Sequence, residues 1–210
     1  KEYFENKYEN EKRYDELFKN ADTYMEKILQ KINELEFDKN SIIVVLSDHG
    51  ISLGEKFGER AYGAFCYDYT IKTFCYMKSP EIEPKTIHQQ VRHVDIMPTV
   101  LDMLGISLSE NYENLDGISL MPIIKGTILD EHVAYSETGN PLDEKAPPKE
   151  PNTHSIRTTN WKLIYNSYNN TKELYDLKID PEENNNLIGK ELEIEKTLWD
   201  HLLKIKNKNF

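Results

Sequence analysis

Hydrophobic residues recur at spacings of three and four over residues 8–36, and charged residues fill the positions between them. This spacing predicts one long amphipathic helix with a single apolar stripe. The next apolar run, residues 41–46, is short, rich in β-branched side chains and without polar alternation. It predicts a fully buried and parallel strand over residues 42–46. A helix followed by a buried strand is typical of an α/β unit.

Two further elements follow this strand. Residues 70–78 alternate in polarity and are rich in aromatic side chains, which predicts a second strand. Residues 95–105 predict a helix with Asp95 as its N-cap. Pro98 in the first turn and Gly105 after the last turn fit the two ends of that helix.

The pattern changes from about residue 129. Short β-type segments separated by turns predict an antiparallel meander, and they cover residues 132–137, 154–159, 161–165 and 173–177. Residues 191–206 carry leucine and isoleucine at helical spacing and predict a closing amphipathic helix. We therefore predict an α/β chain in two domains. Residues 1–128 form part of a mostly parallel sheet flanked by helices, and residues 129–210 form a small antiparallel sheet with a C-terminal helix.

The 210 residues include 26 Lys and Arg against 37 Asp and Glu, for a net charge of −11. This excess of acids argues against nucleic acid as a partner, because binding to a phosphate backbone needs a basic face. No stretch approaches the ~20 apolar residues of a membrane span, and the charged N-terminus lacks the apolar core of a signal peptide. The two cysteines have neither metal-type spacing nor a disulfide pattern. The compartment is left open by these features, with the cytoplasm favoured.

Asp48 and His49 come directly after the first predicted strand. Ligands of open α/β sheets bind just beyond the carboxyl ends of such strands. A carboxylate oxygen and an imidazole nitrogen delivered there are suitable ligands for a divalent metal ion. In the alternative interpretation, Asp48 caps a turn and His49 packs beside it. The next segment, residues 50–63, contains four glycines and mixed charges, which is typical of a loop that forms a site.

Five separated segments resemble motifs of the sulfatase family, within the alkaline-phosphatase superfamily, and they occur in the family's order. They are SDHG with LGE at 47–55, VDIMPTVLDMLGI at 94–106, DGISL at 116–120, RTTNWKLI at 157–164, and ELYDL, DPE and NL within 173–187. One such motif alone is not specific, whereas five in order across nearly the whole chain identify it as a member of this family. The resemblance implies the C-terminal half of the catalytic domain followed by the C-terminal subdomain.

The resemblance also implies that the nucleophile is elsewhere. Sulfatases carry it near the N-terminus of the full protein, as a Cys or Ser that is converted to formylglycine in a C/S-x-P-x-R segment. Relatives that cleave phosphoesters use Ser or Thr there. Neither Cys66 nor Cys75 opens this motif. We therefore expect the nucleophile and further metal-binding acids in an upstream half of the same polypeptide, and we expect this chain alone to be inactive.

Asp48 and His49 match family positions that bind the metal. Many sulfatases have Asp-Asn there and bind calcium, whereas Asp-His is found in relatives that act on phosphodiesters, phosphonates or phosphoglycerol groups, some with manganese. An imidazole favours a softer metal than calcium. The resemblance therefore implies a divalent metal cofactor, calcium or manganese, with zinc and magnesium as alternatives.

The family's leaving-group acid is usually His or Lys, but the matching positions here are Lys56 and Tyr62. Arg60 or Lys56 could contact an anionic oxygen, and Tyr62 could donate a proton if its pKa is perturbed. For all three, a solvated loop side chain is the alternative. We expect His93 and His154 to be structural, although the proline-rich loop before His154 could fold over the site.

The leading hypothesis is metal-dependent hydrolysis of a small anionic ester, either a sulfate or a phosphate or phosphonate ester. One alternative is a phosphoglycerol or phosphoethanolamine transferase of the same superfamily, whose membrane helices would precede this chain. Another is a non-catalytic sulfatase-like domain, which the residues at positions 56 and 62 suggest. The nucleophile segment distinguishes the three. The sequence leaves the substrate and the oligomeric state open.

Overall fold

A computed structural model of the chain describes residues 5–59, 61–107, 115–127, 130–140 and 150–208. Within the described residues, the helices and strands of the first part have these bounds: α1 Lys7–Glu34, β1 Ile43–Leu46, α2 Asp68–Ile71, β2 Cys75–Lys78, α3 Ile96–Met103 and α4 Met121–Ile124. Short 3₁₀ turns lie at Phe37–Lys39 and His93–Asp95. The second part contains a meander and a helix: β3 Ala134–Thr138, β4 Thr153–Arg157, β5 Trp161–Asn166, β6 Thr171–Asp176 and α5 Leu192–Lys208.

Helix α1 confirms the periodicity of its sequence, but its apolar stripe is uncovered. None of its described residues is buried, and the side chains of Leu17, Phe18 and Ile28 are more than half exposed. A hydrogen bond of 2.9 Å from the Asn10 side chain to the Leu53 carbonyl joins the helix to the following loop. The stripe predicted by the sequence therefore exists, and the described part of the chain does not supply its packing partner.

Strand β1 differs from its prediction in two respects. It pairs antiparallel with β2, with Ile43 opposite Lys78 and Leu46 opposite Cys75, and its side chains are half-buried or exposed. The prediction of a parallel and fully buried strand is therefore wrong for the described residues. A continuous apolar run indicates that both faces of a strand favour apolar surroundings. It does not indicate whether the neighbouring strand is parallel or antiparallel. The second predicted strand also begins later than residue 70, because α2 occupies that position.

Helix α3 begins directly after Asp95, as the sequence predicts, but the Asp95 side chain does not cap it. Asp95 is buried, and its carboxylate accepts hydrogen bonds from the Arg92 and Ile118 amides at 2.9 and 3.0 Å. The Asp95 side chain takes part in a capping box that starts at Arg92. It makes no capping hydrogen bond to α3 itself. A Cβ on Gly117 would lie 1.8 Å from the Val94 carbonyl oxygen, so the Asp-Gly turn packs backbone against backbone at the start of this helix.

The C-terminal sheet confirms the predicted meander, with strand order β3-β4-β5-β6 and antiparallel pairing throughout. Helix α5 covers one face of it, and the core there is formed by Ile156, Leu163, Leu174, Leu198 and Leu202. No helix in the described ranges has the length and apolar character needed to cross a bilayer. The chain is thus α/β, with a small antiparallel sheet and a C-terminal helix.

The second face of this sheet holds the segment that follows the glycine-rich loop. Tyr67 packs against Ile164 and Tyr175, and its hydroxyl donates to Glu173 at 2.6 Å. Asp68 forms ion pairs of 2.9 Å with both Lys162 and Arg157. These contacts fix the end of the glycine-rich loop against the sheet, and they bring strand β3 towards the end of β1.

Candidate functional site

A cavity of about 220 Å³ lies where the chain leaves β1. The first part of the chain lines one side of it, chiefly with Asp48, His49, Tyr62, Cys66 and His93. The other side is the edge strand β3, through residues 136–138. The cavity therefore lies between the two parts of the chain, at the carboxyl end of the first strand.

Asp48 and His49 form a close pair at this cavity. The Nε2 atom of His49 lies 3.6 Å from Oδ2 of Asp48, and the His49 amide donates to Oδ1 of Asp48 at 2.9 Å. The Nδ1 atom of His49 lies 2.6 Å from the Gly50 carbonyl oxygen. Because a carbonyl only accepts, Nδ1 carries a proton, and in the neutral ring the lone pair is then on Nε2. A backbone carbonyl commonly holds metal-binding histidines in this way.

The pair fits part of a metal shell. It offers one carboxylate and one imidazole nitrogen, a donor set suited to a divalent transition metal or, with more oxygen ligands, to calcium. The Asp48 side chain is 88% exposed, so it is open to a ligand. Within the described ranges, no group of three or more His, Cys, Asp or Glu side chains could hold a metal ion. A complete shell would need donors beyond these two.

Backbone contacts position the pair. The Gly50 amide donates to the Thr70 carbonyl at 2.8 Å, and a Cβ on Gly50 would lie 2.2 Å from the Tyr69 carbonyl oxygen. On the other side of the pair, the Ser47 amide donates to the Phe74 carbonyl at 3.3 Å. The site segment is therefore held to the backbone around α2 at both ends, and only glycine fits at position 50.

We expect Gly50→Ala to displace the pair. The added methyl group forces the backbone away from Tyr69, which should lower the free energy of unfolding by about 1–3 kcal/mol and weaken metal binding. Urea unfolding and metal titration of a full-length protein that carries these residues measure the two effects. Gly126→Ala is the control, because position 126 has a φ of 93° but open space around it. It should cost about 1 kcal/mol and leave metal binding unchanged. Equal metal affinity in both variants would contradict the positioning role of Gly50.

Of the three residues predicted as catalytic, the structure describes Tyr62 and Lys56 and separates them. Tyr62 lines the cavity, and its ring lies edge-on to the His49 ring with a centroid distance of 5.4 Å. Lys56 lies away from the cavity and donates to the Glu183 carbonyl at 2.5 Å and to the Asn184 side chain at 2.8 Å. These contacts give Lys56 a structural role, joining the loop to the end of the sheet. Arg60 falls outside the described residues.

Two carboxylates hold the glycine-rich loop in shape. Glu55 accepts hydrogen bonds from the Leu53 amide at 2.7 Å and from the Ser52 hydroxyl at 3.1 Å. Glu59 is buried and accepts from the Ala64 amide at 2.5 Å. The loop that carries Tyr62 is therefore ordered by its own acidic residues, which accounts for charged residues in a segment that packs against the site.

Cys66 lines the cavity but cannot act as a ready nucleophile. Burial raises the pKa of its thiol to about 12, so the thiol is protonated at neutral pH, and the thiolate is the reactive form. Cys66 and Cys75 are both free. This agrees with the sequence, in which neither cysteine opens the family's nucleophile motif.

Sequence reasoning missed two cavity residues. His93 was expected to be structural, yet it lines the cavity, and its Nε2 lies 3.0 Å from the Thr73 hydroxyl. Its position at the start of α3 was the only available signal. The second missed residue is Glu137, which the sequence predicts only as part of a strand. Nothing in the local sequence indicates that β3 lies near the end of β1.

Comparison with known proteins identifies the family of the chain. A family model described as "N-sulphoglucosamine sulphohydrolase, C-terminal" matches residues 58–208, and a second, "Sulfatase", matches residues 2–106. The N-acetylglucosamine-6-sulfatase of Bos taurus is 30% identical over 199 residues, which cover 80% of this chain and 34% of that protein. The chain thus spans about a third of the length of the curated relatives that it matches.

Solved structures agree with this match. One, in complex with its substrate D-glucosamine-2-N,6-O-disulfate, aligns with a TM-score of 0.72 and 28% identity over 89% of this chain and 38% of its own. The phosphonate monoester hydrolase of Silicibacter pomeroyi, at 22% identity, shares the fold with a TM-score of 0.72 over 90% of this chain and 39% of its own. The order of motifs, the fold and both family models agree, and the chain belongs to the sulfatase family.

Proposed function

We propose that this chain supplies part of the metal site of an enzyme that hydrolyses small anionic esters, either sulfate esters or phosphate and phosphonate esters. The observation that carries the proposal is the Asp48–His49 pair, with 3.6 Å between Nε2 and Oδ2 at the edge of a cavity beyond β1. The curated relatives are sulfatases, and a phosphonate monoester hydrolase shares the fold. Both support this range of esters.

The residues of the chain have distinct roles in this proposal. Asp48 and His49 would hold a divalent ion, which when bound polarises an ester oxygen as a Lewis acid. The Gly50 carbonyl keeps the proton of His49 on Nδ1, so that Nε2 stays available. Tyr62 and His93 line the cavity, and a phenol hydroxyl and an imidazole are groups that can form hydrogen bonds to an ester oxygen. The nucleophile comes from outside this chain.

The exposed apolar stripe of α1 supports the proposal that this chain is part of a larger domain. Leu17, Phe18 and Ile28 are more than half exposed, and a contiguous apolar face of this kind normally lies against another surface. The chain spans about a third of its curated relatives. The proposed occupant of this face is the remainder of a sulfatase domain, which would also bring the nucleophile and the other metal ligands. By itself the chain is then inactive.

Metal removal tests the proposed function in a full-length protein that carries these residues. The probes are 4-nitrophenyl sulfate and 4-nitrophenyl phenylphosphonate, and bound metal is measured by mass spectrometry. We expect hydrolysis of at least one ester, a loss of about 10²-fold or more after chelation, and recovery when the metal found in the untreated protein is returned. Hydrolysis that continues at full rate in metal-free protein would contradict the metal role. Failure to hydrolyse either ester would leave a non-catalytic sulfatase-like domain.

A further inference from the structure

The Tyr62 ring lies against the His49 ring although Tyr62 is largely exposed. The two ring centroids are 5.4 Å apart and the ring planes meet at 68°, which is the edge-on geometry that aromatic pairs favour. Tyr62 is 74% exposed, so burial in a core does not account for its position. Its place beside His49 therefore has another cause.

Thr70 contacts the backbone directly after each of the two rings. Gly50 follows His49, and its amide donates to the Thr70 carbonyl at 2.8 Å. Gly63 follows Tyr62, and a Cβ at Gly63 would lie 2.9 Å from both Cβ and Oγ1 of Thr70. Thr70 is itself buried. One fixed residue therefore holds the chain after His49 with its carbonyl group and the chain after Tyr62 with its side chain.

A further backbone hydrogen bond closes the loop between the two rings. The Ser52 amide donates to the Ala61 carbonyl at 2.9 Å, which joins the chain that leaves His49 to the residue before Tyr62. Ser52 is completely buried. The loop is thus held on each side of Tyr62, at Ala61 and at Gly63. These contacts account for an exposed aromatic ring at a defined place beside His49.

We infer that Tyr62 is a positioning residue for His49, and that its ring rather than its hydroxyl has this role. The inference rests on the proposed metal site. The Gly50 carbonyl holds His49 at Nδ1, but a single hydrogen bond leaves the imidazole able to swing on its side chain. The Tyr62 ring opposes that motion, so that Nε2 stays on the side of Asp48. Groups that orient a metal-binding histidine strengthen its binding to the metal.

Tyr62→Ala and Tyr62→Phe test the inference in the full-length protein, with Mn²⁺ and Ca²⁺ as probes in titration calorimetry. We expect the dissociation constant of the bound ion to rise by about 10-fold in Tyr62→Ala, at the lower end of the effect of groups that orient a metal ligand. Tyr62→Phe keeps the ring and should match the wild type. Tyr168→Ala removes the same ring from the turn between β5 and β6, away from the residues that line the cavity, and should also match it.

Chemical labelling of His49 gives a second measurement that does not depend on the metal. Diethyl pyrocarbonate acylates an unprotonated imidazole nitrogen, and peptide mass spectrometry follows the reaction at His49 in metal-free protein. We expect labelling to be about 2- to 10-fold faster in Tyr62→Ala, because the contact between the rings is lost. Tyr62→Phe and Tyr168→Ala should be labelled at the wild-type rate.

The outcomes separate the inference from the proposed function. Where the wild type binds either ion, an unchanged dissociation constant in Tyr62→Ala would overturn the inference. An equal rise in Tyr62→Phe would also overturn it, because the hydroxyl would then be responsible. A wild type that binds neither ion would overturn the proposed metal site instead, and the labelling rates then decide the inference. Faster labelling in Tyr62→Ala alone supports the role of the ring, and equal rates in all variants overturn it.

Discussion

Asp48→Ala is expected to abolish metal binding and to lower ester hydrolysis by about 10³-fold or more in a full-length protein, because loss of a Lewis acid removes several kcal/mol of transition-state stabilisation. The Asp48 carboxylate belongs to the one close Asp–His pair that the described residues bring to the cavity. It is also exposed, and among the described residues its hydrogen bond and ion-pair contact are with His49. Its removal should therefore leave the stability of the fold nearly unchanged.

Metal content by mass spectrometry and initial rates with a sulfate ester measure the effect, and urea unfolding checks the fold. Asp200→Ala is the matched control, because Asp200 is an exposed aspartate on α5, far along the chain from the cavity. A variant at position 48 that keeps its metal and its rate would refute the assignment of this pair as metal ligands. A variant that loses activity and unfolds would instead indicate the turn-capping interpretation of Asp48.

Lys162→Met is expected to cost about 3–5 kcal/mol of the free energy of unfolding, the range found when one partner of a buried ion pair is removed. Lys162 is completely buried, with Nζ at 2.9 Å from Asp68 Oδ1 and 2.8 Å from Glu183 Oε1. Arg157 also pairs with Asp68 at 2.9 Å, but Glu183 would lose its cation inside the protein. The cluster joins the end of the glycine-rich loop to the sheet, so cavity binding should weaken as well.

The two carboxylates of this cluster respond to pH in opposite ways. Burial favours the neutral form of Asp68, but Lys162 and Arg157 outweigh it and hold its pKa below the ordinary value. Its stabilising effect is therefore complete above the pKa of the unfolded chain and is lost as the pH falls through the lowered folded value. Burial raises the pKa of Glu183 despite Lys162. Its contribution is largest at low pH and declines as the pH rises through the raised folded value.

Urea unfolding at several pH values measures these effects. At neutral pH, Asp68→Asn should cost more than Glu183→Gln, although each removes one carboxylate from the same lysine. Lys196→Met, on the exposed side of α5, is the control for Lys162 and should change stability by less than about 0.5 kcal/mol. A cost for Lys162→Met no greater than for Lys196→Met would show that the buried cluster does not stabilise the fold.

Local patterns in the sequence were sufficient for most elements. The three- and four-residue spacing of α1 and α5 and the turn-separated segments of the meander were confirmed within a few residues, because each depends on residues near one another in the chain. Asp48 and His49 were found for a similar reason, since they directly follow an apolar run and match a family motif. The motif order identified the family, which the comparisons confirm.

Tertiary structure alone decided which distant residues share the cavity. The apolar run of β1 could not specify an antiparallel neighbour, and alternation along β5 could not show that Lys162 would be buried between two carboxylates. His93 and Glu137 reach the cavity because α3 and β3 pack near the end of β1. These outcomes depend on contacts between residues far apart in the chain, whereas periodicity records only the environment of each segment. The sequence by itself therefore determined the family and the place of the Asp48–His49 pair after β1, and the packing of the two parts decided what faces that pair.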